Sequence, residues 1–404
     1  MGEVAAGTRN LISVEEAQGL ILEHVEPLPA EAVFLRGALG RVLAEPATAA
    51  VDLPPFDSSA MDGFALRSVD TPGRLPVAHR IAAGSPAPRG LETGEAMGIA
   101  TGGVVPGGAD AVMPIEYVVE HDNDIEIAER VEPGANVRPR GGDLHASDVV
   151  VSAGARLGAA QIGALAAAGV PDITSARRPR AVVVATGSEL RRPGEPLEPG
   201  QIYEANGVLL STQLASAGAE VRQLESVADD ERAHRAALEA GLEADVLVTS
   251  GGVSVGPHDL VRSIGAELGI EEVLWGVAVK PGKPLWFGVR GGTLVFGLPG
   301  NPVSSLVCFE LFVRPAVLAL QGVADPLPRF EPGALAAAVR PNAARTELVR
   351  ARSRLVGGEV ELEVLLGQES HMIARTAGAD ALVVIPAGSD ELDAGSRVSF
   401  LRLA

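Results

Sequence analysis

Lys280 and Lys283 are the only two lysines in a 404-residue chain whose other basic side chains, histidines aside, are arginines. They stand three residues apart in Val279-Lys-Pro-Gly-Lys-Pro284. An ammonium is a compact, strongly hydrated point charge that fits beside a small oxyanion, whereas a planar guanidinium does not. A cation pair framed by Pro and Gly directly after a strand has the make-up of an anion-binding turn. The alternative is codon bias toward arginine, with two lysines landing together by chance. Three glycine-rich turns speak for the site: Thr186-Gly187-Ser188-Glu189, Ser250-Gly251-Gly252-Val253-Ser254 and Leu298-Pro299-Gly300-Asn301-Pro302. Each follows an apolar strand and leads toward a helix. Glycine lets backbone N–H groups approach a phosphate, and a helix N-terminus adds positive potential. None is a Walker A or GxGxxG fingerprint, so neither a P-loop ATPase nor a dinucleotide-binding enzyme is supported.

Carboxylates stand beside the same turns: Glu189, Asp229 and Asp259. Such groups next to phosphate sites hold Mg²⁺. Asp229 or Asp230 equally suits a helix N-cap, and so does Asp259. Three further stretches are candidate binding loops: 53–66 with Asp62, 100–112 with Thr101, and 138–143 with Asp143. Asp62 before Gly63 also reads as turn chemistry, and Thr101 as a cap. No HxH or HExxH spacing supports a histidine metal centre. Gly252-Val-Ser-Val-Gly256 matches the GxSxG nucleophile elbow. However, no HGGG-type stretch precedes it, and the downstream histidines, His258 and His371, suit the triad poorly. Cys308 stands alone in an apolar segment and reads as buried filler.

These loops need a scaffold. At this length roughly two to four domains are expected. The chain is 47% hydrophobic and 3% aromatic, so Ala, Val, Leu and Ile must build the cores. A net charge of −19 argues against nucleic acid and requires any oxyanion site to be local. Neither a signal sequence nor an apolar run of spanning length stands out, which suggests a cytoplasmic protein without a membrane partner. Residues 13–25 read as a helix capped by Ser13, able to pack against a second helical segment at 144–176. Short segments broken by Gly and Pro over 44–142 suggest a β-rich module inserted between them. Strand–loop–helix alternation follows from Ala181, with strands ending at the glycine-rich turns, further strands over 272–279, 285–289 and 293–297, and a last helix over 303–320. That pattern implies a parallel sheet covered by helices. Pro326, Pro328 and Pro332 mark a joint before a small C-terminal β domain.

Together the motifs resemble the molybdopterin molybdenumtransferase family, which includes bacterial MoeA and the E domain of gephyrin. The resemblance rests on Pro54-Pro-Phe-Asp-Ser-Ser-Ala-Met-Asp-Gly63, Thr101-Gly-Gly with Pro106-Gly-Gly-Ala-Asp-Ala-Val112, and Gly141-Gly-Asp143. It continues through Thr186-Gly-Ser-Glu-Leu190, Gln201-Ile-Tyr-Glu-Ala-Asn206, Ser250 to Gly256 with Asp259, Lys280 to Pro284, and Leu298 to Ser304. The family implies a multidomain α/β plus β chain. A helical linking and dimerisation domain (1–43 and 143–178) would carry an inserted β-rich domain (44–142). A mostly parallel molybdopterin-binding α/β domain (179–325) and a C-terminal β-barrel-like domain (326–404) would follow.

The reaction so implied inserts molybdate into adenylylated molybdopterin, with Mg²⁺-dependent pyrophosphate cleavage and AMP release. Carried over by the resemblance are Asp62, Thr101, Asp143, Glu189, Asp229, Asp259, Lys280 and Lys283 as catalytic positions, with Pro299 and Pro302 at the substrate. For molybdate the resemblance adds Arg350 and Ser370 to the lysine pair; an exposed strand residue is the other reading of Arg350. It also implies a homodimer whose active site is shared between subunits, and a molybdopterin adenylyltransferase as substrate donor. Gly276 stands where some relatives carry a further lysine, and Pro114 is expected to end its strand early. The alternatives are an adenylyltransferase and a non-catalytic dimeric scaffold.

Overall fold

The computed structural model describes residues 11–228, 230–252, 260–388 and 390–403. The chain forms two compact units: Ala32–Thr174, and a second that takes the residues through Glu31 together with those from Ser175 onward.

The second unit is built on a six-stranded sheet in the order Glu220–Gln223, Arg180–Ala185, Val246–Ser250, Thr293–Leu298, Trp286–Arg290, Glu271–Trp275. The first four strands are parallel, and each of the last two pairs antiparallel with the strand before it. Arg180–Ala185, Val246–Ser250 and Thr293–Leu298 are unbroken apolar runs because helices cover both faces of the sheet. Alternate residues divide between two cores. Val183, Val248 and Phe296 face the helices Asn206–Ser216 and Pro302–Cys308, while Val182, Leu247 and Val295 face Glu231–Gly241 and Leu260–Glu267. Asp230 caps Glu231–Gly241, accepting from the Ala233 N–H at 2.9 Å, so the cap falls to Asp230.

Three expectations are corrected here. The N-terminal helix, Val14–Leu22, does not take its partners from the 144–176 segment. Ala17 and Ile21 enter the sheet core with Phe309 and Phe312, and the Gln18 amide donates to the Leu311 carbonyl at 2.9 Å. The expected 272–279 strand is two strands: Gly276 turns the chain at φ +87°, and Val279–Lys280 leaves the sheet to pair with a strand of the C-terminal barrel. A run of membrane-spanning length does exist, Pro302–Leu320, but it is 83% buried inside the fold and is a core helix. A π turn over Phe309–Val313 interrupts it, and there the buried Glu310 carboxylate accepts from the Gln213 amide at 2.8 Å and from Arg314 Nε at 2.6 Å.

The C-terminal strands Phe330–Leu335, Thr346–Val356, Glu359–Val364, Ala381–Ile385 and Arg397–Arg402 close into a five-stranded barrel around Leu362, Val383 and Phe400. In the Ala32–Thr174 unit a six-stranded sheet of short strands places Gly63–Leu66 between Ala96–Ile99 and Ala111–Pro114. The last of these ends at Pro114, as the proline requires. A nine-residue helix, Ala159–Ala167, packs its Leu165 against Leu35, Ala38 and Leu43.

Candidate active site

The C-terminal ends of three parallel strands meet at the glycine-rich turns, where ligands of open α/β sheets bind. The turns are tied to each other. The Thr186 N–H donates to the Ser250 carbonyl and the Gly251 N–H to the Leu298 carbonyl, each at 3.0 Å. The Asn206 amide, at the start of its helix, donates to Ser250 Oγ at 2.8 Å and to the Gly300 carbonyl at 2.6 Å. Ser250 is 2% exposed, and its hydroxyl donates to the Pro299 carbonyl, so its role is to brace the turns. Gly251 is irreplaceable on geometry. Its φ is +95°, and a Cβ would stand 2.6 Å from Thr186 Oγ1.

Above these turns lies a cleft of about 370 Å³ lined by Thr186, Glu189, Tyr203, Asn206, Gly300 and Pro302, among others. Glu189 is exposed, and its carboxylate folds back over Gly187, where a Cβ would meet its oxygens at 2.6–2.7 Å. Ser188 is exposed at the same turn. Hard carboxylate oxygens of this kind suit Mg²⁺. Glu189 is the one member of the expected carboxylate trio among the described residues; Asp229, Asp259 and Ser254 lie outside them. No cluster of three potential metal ligands occurs among the described residues.

The lysine turn forms a second pocket, of about 580 Å³, lined by Lys280, Lys283, Arg345, Glu347 and Ser370. Pairing of Val279–Lys280 with the barrel strand sets Lys280 opposite Glu347, and their side chains meet at 2.5 Å. Gly282, at φ +123°, lies over Cys308, whose Sγ would be 2.7 Å from a Cβ. Cys308 is fully buried and its thiol is pushed up by desolvation, in keeping with a filler. The two cavities adjoin. The Asn301 amide donates to Ser370 Oγ at 2.9 Å, and the Val303 N–H donates to the Ser370 carbonyl at 3.1 Å.

The exposed-strand reading of Arg350 is corrected. Its side chain is 1% exposed, and all five N–H groups are engaged by the loop that follows. They donate to the carbonyls of Met372, Gly367 and Glu369, to Thr376 Oγ1 and to Gln368 Oε1. The arginine that lines the lysine pocket is Arg345, five residues earlier. Arg345 was not singled out in the sequence, and His371 was named only as a poor triad base; the further signal of each is proximity to Arg350 and Ser370.

In the Ala32–Thr174 unit the three candidate loops converge on one surface. The Gly102 N–H donates to the Ser59 carbonyl at 2.8 Å, the Gly141 N–H to Pro54 at 3.0 Å and the Asp143 N–H to Leu53 at 2.9 Å. Asp62 and Thr101 are both exposed and are joined directly. Asp62 Oδ1 accepts from the Thr101 N–H at 2.6 Å and from its hydroxyl at 3.0 Å. These two bonds, the backbone one first, hold the Asp62 carboxyl below the usual carboxylate range. Asp143 presents its carboxylate to solvent on the same surface.

Three family profiles match the chain in succession: the MoeA N-terminal region (domains I and II) over residues 12–169, a probable molybdopterin binding domain over 182–319, and the MoeA C-terminal region (domain IV) over 332–403. Molybdopterin molybdenumtransferase 2 of Mycobacterium tuberculosis is 36% identical over 402 residues, spanning 96% of this chain and 98% of its own. The Staphylococcus aureus molybdopterin molybdenumtransferase is 32% identical over 401 residues, spanning 97% and 96%. A crystal structure of a molybdopterin biosynthesis MoeA protein from Pyrococcus horikoshii matches with a TM-score of 0.81 at 33% identity, covering 97% of this chain and 99% of that one.

Proposed function

The chain belongs to the molybdopterin molybdenumtransferase family, and from that premise we propose that it inserts molybdate into adenylylated molybdopterin, the step that completes the molybdenum cofactor. The observation that carries the reading is the adjacency of the two cavities. A cation pocket suited to a small dianion shares a wall, at Asn301–Ser370, with a cleft of glycine-rich turns suited to a pyrophosphate. Lys280, Lys283 and Arg345 provide the local positive charge that a chain of net charge −19 otherwise denies an oxyanion. The turns offer backbone N–H groups to the phosphates, and the bracing of Ser250 and Asn206 fixes them before substrate arrives.

Mg²⁺ belongs to the proposal, with Glu189, Asp229 and Asp259 as its holders; when bound it would neutralise pyrophosphate oxygens during release of AMP. The homodimer is also part of it, as is delivery of the substrate by a molybdopterin adenylyltransferase. In that assembly the Asp62–Thr101 surface of one subunit serves the cleft of the other.

Calorimetric titration with molybdate tests the pocket. The wild-type chain is expected to bind saturably, and Lys283→Ala and Arg345→Ala are each expected to weaken binding about tenfold, at about 1.4 kcal/mol per lost charge contact. Binding unchanged in both variants would remove the oxyanion from this pocket.

A further inference from the structure

Among the described residues, His371 is the one that lines both the lysine pocket and the glycine-turn cleft. It stands on the loop that Arg350 holds from beneath with five donated hydrogen bonds. The residue before it, Ser370, is fixed to Asn301 and Val303, and the His371 carbonyl accepts from the Ile373 N–H at 2.9 Å. A loop fastened on both sides holds His371 at the junction of the two cavities. No role in the binding described above requires a histidine there.

The chemistry at that junction needs a mobile proton. In the transfer reading, on which this inference rests, a dithiol and MoO₄²⁻ give a dithiolene–MoO₃²⁻ and water. Two Mo–S bonds form, one Mo–O bond breaks and molybdenum remains hexavalent. Both thiol protons depart on the oxygen that leaves, because an oxide leaves readily only as water. With the thiols entering from the cleft and molybdate held in the lysine pocket, as the transfer reading has them, the protons cross the junction.

The charged groups on the lysine side are Lys280, Lys283, Arg345, Glu347 and Glu369; on the cleft side the titratable groups are Glu189, Tyr203 and Glu204. Several are already committed. Lys280 is paired with Glu347, Glu204 accepts from the Gly207 N–H and from Gln223, and the Tyr203 hydroxyl donates to the Glu195 carbonyl. Of these groups none lines both cavities, as His371 does. Imidazole both accepts and returns a proton near neutral pH. We propose that His371 is the proton relay of molybdenum transfer, carrying thiol protons from the cleft to the departing molybdate oxygen.

The test compares wild-type chain with His371→Gln and His371→Gly by single-turnover insertion across pH 5–8, alongside molybdate titration and thermal melting. Expected are unchanged melting, molybdate binding within about twofold of wild type, and insertion slowed about 10²-fold or more. The pH-dependent limb of the rate should disappear, and added imidazole should restore part of the rate to His371→Gly. An active wild type with a His371→Gln variant of equal rate and pH profile overturns the relay alone. So does a slow variant whose pH profile is unchanged and which imidazole does not rescue, since that marks mere positioning. A wild-type chain that binds substrate but inserts no molybdate overturns the transfer reading and the relay with it.

Discussion

At the residue scale the site turns on which cations are free to meet a ligand. Lys280 is half-exposed beside Glu347, whereas Arg350 is enclosed by its own loop. Lys280→Arg should leave the melting temperature unchanged and remove most turnover, because the larger fork cannot take an ammonium's place. Near-normal turnover would return the lysine pair to codon bias. Arg345→Ala and Arg350→Met should separate binding from architecture. The first should weaken molybdate with little effect on stability. The second leaves several buried acceptors unpaired and should cost about 3 kcal/mol in a urea titration. At Asp62 the sign is fixed by the depressed folded-state pKa: its stabilising contribution is present above the unfolded value near 4 and lost as pH falls through the lower folded value. Thr101→Val removes one of the two donors, so an NMR titration should find the Asp62 carboxyl moved up toward its ordinary value. The lysine pair, the turns and Asp62 were legible because their residue types and spacing carry the chemistry locally. That Arg345, and not Arg350, lines the lysine pocket was not, because the loop that encloses Arg350 arrives 17 to 26 residues later in the chain.

At the scale of elements, what was legible followed from periodicity and caps. Unbroken apolar runs marked the sheet strands, and Ser13 does cap the N-terminal helix, accepting from the Glu16 N–H at 3.0 Å. The partners of that helix were hidden, since an apolar stripe does not specify which core receives it. The departure of Val279–Lys280 from the sheet was hidden for the same reason: pairing with the barrel depends on a strand more than sixty residues away. Gly63 shows how closely the short strands approach. A Cβ there would lie 2.0 Å from the Met113 carbonyl oxygen and 2.9 Å from Pro114 Cα, both backbone. Gly63→Ala should therefore force the sheet apart and destabilise the chain by about 3 kcal/mol or more, read as a lowered melting transition. A melting temperature equal to wild type would mean that the strands can separate there without loss.

For the whole molecule, the proposal assigns the Asp62–Thr101 surface and the lysine pocket to different subunits at each site. Complementation tests this directly. Asp62→Asn and Lys280→Arg chains, each nearly inactive alone, should recover about a quarter of wild-type activity when mixed and allowed to exchange, because half the dimers carry one intact site of two. Sites contained within one chain would recover none.

The central claim is chemical, and its most direct measurement is AMP release from adenylylated molybdopterin by the purified chain with Mg²⁺, with and without molybdate. The account predicts release that depends on molybdate, accompanied by cofactor able to activate an apo-molybdoenzyme. AMP release indifferent to molybdate, or no release from bound substrate with metal and oxyanion both supplied, would contradict it.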